Sequence, residues 1–416
     1  MRATSRWVLI LSVLLAMALG SCVNATNNIG TGTAWVATQG DQKLTSYSIN
    51  LTSGALSQVG NQVSTGVTPA GMAITPDQRT VLLVNSGDSS IGVYGVNSDG
   101  SLQASSCSSC TAGQNPVALA VDPTGKLLFV ANQGIFSDPT SGTVSVFSIS
   151  SGSLTPVTTF ATETTANTTG TGPSGVIVSP ASFSCASSTG PQTCYAIYVS
   201  NQFTNTVSAF QYFVDSSGSF HVQPAGASPY AAGTNPTGLA FSRCAGISSA
   251  TAHCATNDDN NLFVSNFGSG NVTIFTACIQ VVGSCTTADG SLLPISGLTA
   301  SGIGPVAVVV NPVINFVYTV DQRANQVSQF SYSPVTGALS ALSPAAVSTA
   351  SNPSGGGITR DGSVVIVPNN GSSNMSIYKV NLPPPSGGTS TSTGKLVPGS
   401  QPTVSLTGQP SAVLVR

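Results

Sequence analysis

The chain has 416 residues and a formal net charge of −2; charged residues make up only 6% of it and hydrophobic residues 40%. With Ser, Thr, Asn and Gly filling the polar positions, no basic surface exists to hold phosphate backbones, which excludes nucleic acid as an expected partner. The apolar content is that of a packed domain, and the length allows one large β domain or two medium ones.

Arg2 and Arg6 precede an apolar stretch from Trp7 to Ala18 that ends in Leu19-Gly20-Ser21-Cys22. Such a stretch is too short to span a bilayer and has the layout of a cleaved export leader over residues 1–21. The Leu-Gly-Ser-Cys run resembles the bacterial lipobox, which implies lipidation of Cys22 as the first mature residue. Ordinary cleavage with an incidental Cys22 is the alternative. Residues 22–33 read as a polar spacer and 34–416 as the folded part. The expected address is the bacterial cell envelope, at the periplasmic face or the outer membrane, with membrane contact only through the anchor.

From Ala34 onward the chain repeats. Residues 34–56 hold two β-type runs, AWVATQG and KLTSYSI, with no opening proline run. Pro69, Pro116, Pro173, Pro236, Pro305, Pro353 and Pro410 then each open a short apolar run, at spacings of 47 to 69 residues. In the clearest copy, VALAVD (117–122) predicts a first strand, Pro123 to Lys126 a turn, and LLFVAN (127–132) a second strand. TVSVFSI (143–149) predicts a third, and a fourth begins at Leu154. Four antiparallel strands make one propeller blade, and units this small must stack on their neighbours to bury their apolar faces. Residues 409–415 supply only an opening strand, so the two chain ends together complete a seventh blade and close the ring.

Eight cysteines fall in local couples within stretches expected to be irregular: Cys107 with Cys110, Cys185 with Cys194, Cys244 with Cys254, and Cys278 with Cys285. In an exported chain they read as four short-loop disulfides. Two readings compete with this. Cys107-Ser-Ser-Cys110 has redox spacing without a strand-to-helix context, and Cys244, His253 and Cys254 lack a fourth ligand for zinc. The run from Pro383 to Gly394 reads as a flexible loop.

With seven units counted, the chain resembles the lactonase-like seven-bladed propellers, which include bacterial 6-phosphogluconolactonase, and the related YVTN-repeat surface propellers. The Pro-x-x-[LIV] starts, the VDPTGK turn at 121–126 and the FVAN, YVSN and FVSN strand ends carry the resemblance. It implies an all-β, seven-bladed fold, and the catalytic groups such enzymes use would lie at a channel mouth. Lactone hydrolysis needs a base to activate water and a cation to hold the oxyanion. His221 and His253 lie in an outer strand and an insertion, and Glu163, the only Glu, lies between blades. All three read as solvated or locally bonded side chains, and a lone Glu argues against a calcium site.

Asn85, Asn132, Asn201, Asn266 and Asn369 end second strands and are expected to ring one face; Asp321 and Arg323 stand in the sixth unit. That set is the candidate ligand rim, and Asp321 with Arg323 the weak catalytic candidates. Alternatively, the Asn side chains close turns and the two charges pair with each other or with solvent. Arg79, Lys126, Arg360 and Asp361 fall in first turns on the opposite face and read as solubilising. The leading expectation is a monomeric binding module for a carbohydrate-like small molecule or an envelope protein, with no metal or cofactor. A sugar lactonase is the alternative.

Overall fold

The computed structural model describes residues 30–107, 110–138, 141–163, 171–187, 190–243, 260–281, 283–295, 299–383 and 392–416. The leader, Cys22 and the spacer up to Ile29 lie outside these residues, as do Cys244, His253, Cys254 and most of the Pro383–Gly394 loop. Among the described residues, regular structure is all strand apart from one turn of 3₁₀ helix at Asn370–Ser372.

Seven antiparallel sheets of four principal strands form the ring of a seven-bladed β-propeller. The innermost strands are Pro69–Ile74, Pro116–Val121, Pro173–Val178, Pro236–Phe241, Pro305–Val310, Gly357–Ile358 and Gln409–Val415. Each lies at the edge of its own sheet, where a residue without an N–H is tolerated. Five of the prolines pair with the last residue of the second strand, as in Pro116 with Asn132 and Pro305 with Asp321, and a bulge follows at once. Pro353 makes the same pairing with Asn369 as an isolated bridge. The residue before each of these six prolines is left-handed, with φ between 52° and 69°; Asn or Gly fills five of the positions and Thr68 the sixth. Asn and Gly adopt that conformation at least cost.

Second strands are buried over most of their length, and throughout in Leu127–Asn132 and Asn261–Asn266. Each is sandwiched by neighbouring blades on both faces, so it reads as a continuous apolar run where the third strands alternate. Side chains as large as Phe129, Tyr198, Phe263 and Tyr318 are fully buried there, each stabilising by about 2–3 kcal/mol relative to exposure. Successive blades are also tied at their inner strands. Ser174, Thr237 and Ser354, each following an inner-strand proline, donate hydroxyl bonds to the carbonyls of Pro236, Pro305 and Pro410 at 2.6, 3.1 and 2.9 Å.

The split blade, blade 1 here, consists of Thr31–Gln39, Lys43–Asn50 and Leu56–Ser64 with Gln409–Val415 at its inner edge. Ala34 pairs with Val415 and Trp35 with Leu414. The strand starts at Thr31, three residues before the boundary expected from sequence. Thr31 pairs with Asn50, and the Thr33 N–H donates to the Arg416 carbonyl at 3.0 Å, so the end of the presumed spacer belongs to the blade.

Three of the four expected disulfides form among the described residues: Cys107–Cys110, Cys185–Cys194 and Cys278–Cys285. The second does not lie in an irregular stretch. Phe183–Ser187 and an extended Gly190–Asn201 make an added hairpin in blade 4, and the bridge crosses it. The insertion is long enough to satisfy its own backbone as a ladder.

Candidate functional site

The six strand ends singled out as a rim occupy equivalent places, but their side chains do not reach solvent. Asn85, Asn132, Asn201, Asn266, Asp321 and Asn369 are all buried. Each Asn turns its amide onto the third strand of its own blade. Asn132 donates to Thr143 and Ser145 at 3.1 and 2.9 Å, Asn201 to Thr206 and Ser208 at 3.1 and 2.8 Å, and Asn369 to Asn374 and Ser376 at 2.8 and 2.9 Å. The repeat is a strand-to-strand clasp within the blade. A glycine three residues before the proline covers it in several blades: a Cβ on Gly113 or Gly233 would come within 2.6 Å of the Asn132 or Asn266 side chain. That Gly-x-x-Pro spacing is the sequence signal for the clasp, and the rim reading passed over it.

Asp321 and Arg323 are not brought together. Asp321 replaces the clasp Asn and accepts from Ser328, Ser301 and Thr319 at 2.6, 2.8 and 3.0 Å. Arg323 is exposed and lies 4.3 Å over the ring of Phe267. Burial pushes the Asp321 carboxyl above its ordinary range, with those hydroxyls pulling the other way. For a carboxylate raised in the folded state, the favourable contribution is present below its unfolded pKa and is lost as pH rises through the folded one. Asp321→Asn, which installs the side chain of the other clasps, is therefore expected to stabilise at pH 7 by about 1 kcal/mol. The gain should shrink toward pH 3. Urea melts at the two pH values measure it, and a loss of stability at pH 7 would contradict the account.

His221 stacks on Phe213 and bonds Asp215 at 2.8 Å. The Ser217 hydroxyl, His221 and the Ser219 N–H hold that carboxyl well below the usual range. Glu163 accepts from Thr204 and Thr206 at 2.9 and 2.5 Å. Among the described residues no three His, Cys, Asp or Glu side chains cluster as metal ligands.

Charge gathers on the opposite face, beneath blade 1. Blades 3 and 7, for example, join their inner and second strands there by a turn, Asp122 to Lys126 and Thr359 to Ser363, whereas blade 1 draws those strands from distant parts of the chain. A cavity of about 470 Å³ occupies the gap, bordered by Gln78, Asp99, Arg360, Asp361 and Arg416. Arg416 lies 5.3 Å over the Trp35 ring. With its amide oxygen turned toward Arg360, Gln78 accepts from both terminal nitrogens of that guanidinium, Nη2 at 2.8 Å, which leaves Arg416 the Gln78 backbone carbonyl at 3.5 Å. Neither guanidinium pairs with a carboxylate among the described residues. Burial, then the charge of Arg360, lowers the Arg416 pKa, the mark of a cation held where a counter-charge is wanting. Asp361 and Asp99 each bind their own turns through Oδ1 alone.

Residues 31–353 match the family model for the lactonase seven-bladed β-propeller. This chain belongs to that family. No curated protein matches it. Among solved structures, the Pseudomonas aeruginosa periplasmic gluconolactonase PpgL is similar at 19% identity and TM-score 0.68, the match covering 92% of this chain and 99% of that one. A putative 6-phosphogluconolactonase from Bacteroides uniformis is similar at 17% identity and TM-score 0.68, over 93% and 100%. At such identities the likeness to these lactonase-type chains is one of fold. Within the lactonase match lie Gln78 and Asp99, while Arg360, Asp361 and Arg416 lie beyond it. Reading from sequence placed Arg360 and Asp361 in a solubilising turn and passed over Arg416, because their meeting depends on ring closure.

Proposed function

We propose that this propeller is an extracytoplasmic hydrolase of sugar lactones, with its site in the cavity beneath blade 1. The observation that carries the reading is the pair of guanidiniums converging on Gln78 with far more N–H donors than acceptors to receive them. A lactone carbonyl is neutral on arrival and becomes an oxyanion when water adds, and its ring-opened product is a carboxylate. Two forked cations favour both charged species over the starting lactone, which is the differential binding that catalysis requires. In the proposed step, Asp361 takes a proton from water through Oδ2 as that water adds to the lactone carbonyl. Arg360 and Arg416 hold the oxyanion, and collapse expels the ring oxygen, which takes that proton back from Asp361 and leaves as a hydroxyl. Membership of the lactonase family supports this reading above the binding-module alternative, and the PpgL name supports a gluconolactone-type substrate.

The disulfides fit an oxidising compartment, which supports an exported protein. We infer that the leader and Cys22 provide export and a lipid anchor, and that unphosphorylated lactones are the substrates available there. A pH-stat assay on glucono-δ-lactone and its 6-phosphate tests the activity. Acid release above the spontaneous rate, abolished in Arg360→Ala, is expected, and release no faster than the blank on both lactones would overturn it.

A further inference from the structure

On the face where the second strands end, the loops of successive blades exchange one residue for another. In blades 2, 3, 5 and 7 the left-handed residue before the inner-strand proline is Thr68, Asn115, Asn235 or Asn352, and the residue two past the clasp is a glycine, Gly87, Gly134, Gly268 or Gly371. A Cβ on Gly87 would lie 2.9 Å from Thr68 Oγ1, and one on Gly371 3.0 Å from Asn352 Cβ. Blades 4 and 6 invert the pair. Their left-handed residues are Gly172 and Gly304, and Phe203 and Arg323 stand where the others carry glycine; a Cβ on Gly172 would run into the Phe203 ring, and one on Gly304 would come within 3.0 Å of Arg323 Cγ. The turn is the same in either form: the N–H groups of Gly134, Phe203 and Arg323 donate to the carbonyls of Gln114, Thr171 and Ile303, each at 3.1 Å. What the inverted form adds is a large side chain on the face of the ring.

These side chains belong to an apolar patch over blades 3 to 6. Phe136, 55% exposed, meets Phe203 edge-on at 5.1 Å. Arg323 lies over Phe267, and Ile303 beside it is 65% exposed. Exposed apolar surface of this kind marks an interface. Charge is divided along the patch. Arg323 holds the blade 6 end and pairs with no carboxylate among the described residues. Asp138 stands at the blade 3 end, and Glu163, on the link to blade 4, is held by the Thr204 and Thr206 hydroxyls. The other charged groups of this face, Asp41, Lys43 and Asp88, lie on blades 1 and 2.

We propose that this face joins a second copy of the chain in a two-fold dimer, the axis lying in the plane of the face between blades 4 and 5. Such an axis exchanges blade 3 with blade 6 and blade 4 with blade 5. It brings the Arg323 end of each copy onto the Asp138 end of the other and sets Phe203 against Phe267 across the centre. A patch with a cation at one end, a carboxylate at the other and apolar rings between is complementary to itself reversed, which is the condition an isologous interface must meet. The arginine cavity, on the opposite face, stays open in this dimer.

Sedimentation velocity of the full chain over about 1 to 200 µM tests this, and the wild type is expected to pass from monomer to dimer in that range. Phe136→Ser and Arg323→Glu alter exposed side chains, so both keep the melting temperature. Each is expected to weaken association at least about tenfold, because the two-fold axis counts every change twice. Asp138→Arg is expected to weaken it likewise. An equimolar mixture of the Arg323→Glu and Asp138→Arg variants should recover the dimer, since each then supplies the charge the other lacks. A wild-type chain that stays monomeric throughout, or a dimer that Phe136→Ser and Arg323→Glu leave intact, would overturn the proposal. Single variants that dissociate and do not recover on mixing would overturn it too, because the two ends would then not meet.

Discussion

Removing residues 409–416 is expected to abolish the native state of the whole ring, with no folded six-blade remainder. The closing strand pairs from Gln39 to Ala34 on one side and receives the Ser354 and Asn370 side chains of blade 7 on the Pro410 carbonyl at 2.9 and 3.3 Å on the other. It also covers Trp35, Ala37 and Leu44, all fully buried beside Ala412 and Leu414. Losing about six net hydrogen bonds at roughly 1 kcal/mol each, together with the exposure of several apolar side chains at about 2 kcal/mol each, is as large as the 5–15 kcal/mol by which folded domains are ordinarily stable. Circular dichroism melts and size exclusion should show an expanded chain without a cooperative transition. A peptide of the sequence QPSAVLVR, added in excess, should restore the transition by pairing with the vacant edge. A truncated chain that melts at the wild-type temperature would show that the ring does not depend on its latch.

The architecture was legible because its main signal is chemical as well as statistical. Proline marks an inner edge strand and its bulge, and a continuous apolar run marks a strand covered on both sides, so both survive wide variation in loop length. The blade count and the shared blade of the chain ends followed from those two signs. The rim did not, since a strand-terminal Asn looks the same in sequence whether its amide meets water or the next strand. Only the glycine three residues before the proline, which leaves room for the buried amide, tells the cases apart. Arg416 was invisible for another reason. Its meeting with Gln78 joins residues 338 apart across the closure, and the cavity between them lies where blade 1 has no turn linking its inner and second strands.

Replacing Arg360 and Arg416 together by alanine is expected to lower kcat/KM for gluconolactone by at least about a hundredfold, the usual effect of losing an oxyanion donor. Either single variant should lose nearly as much, because two guanidiniums sharing one oxyanion act as a unit and their losses do not add. Stability and catalysis separate cleanly at this pair. Arg360 is exposed, so its removal should leave the melting temperature in place, whereas Arg416 packs over Trp35 and its loss should cost about 0.5–1 kcal/mol. Arg416→Lys keeps the charge and loses the planar fork. If the fork holds the oxyanion, the lysine variant falls in kcat with KM little changed. If the pair only gathers anions, the same variant keeps kcat, and product gluconate inhibits it as strongly as wild type. A double alanine variant that retains full turnover would remove this cavity from the chemistry and send the search for a lactone site back to the exposed Arg323 face of the ring.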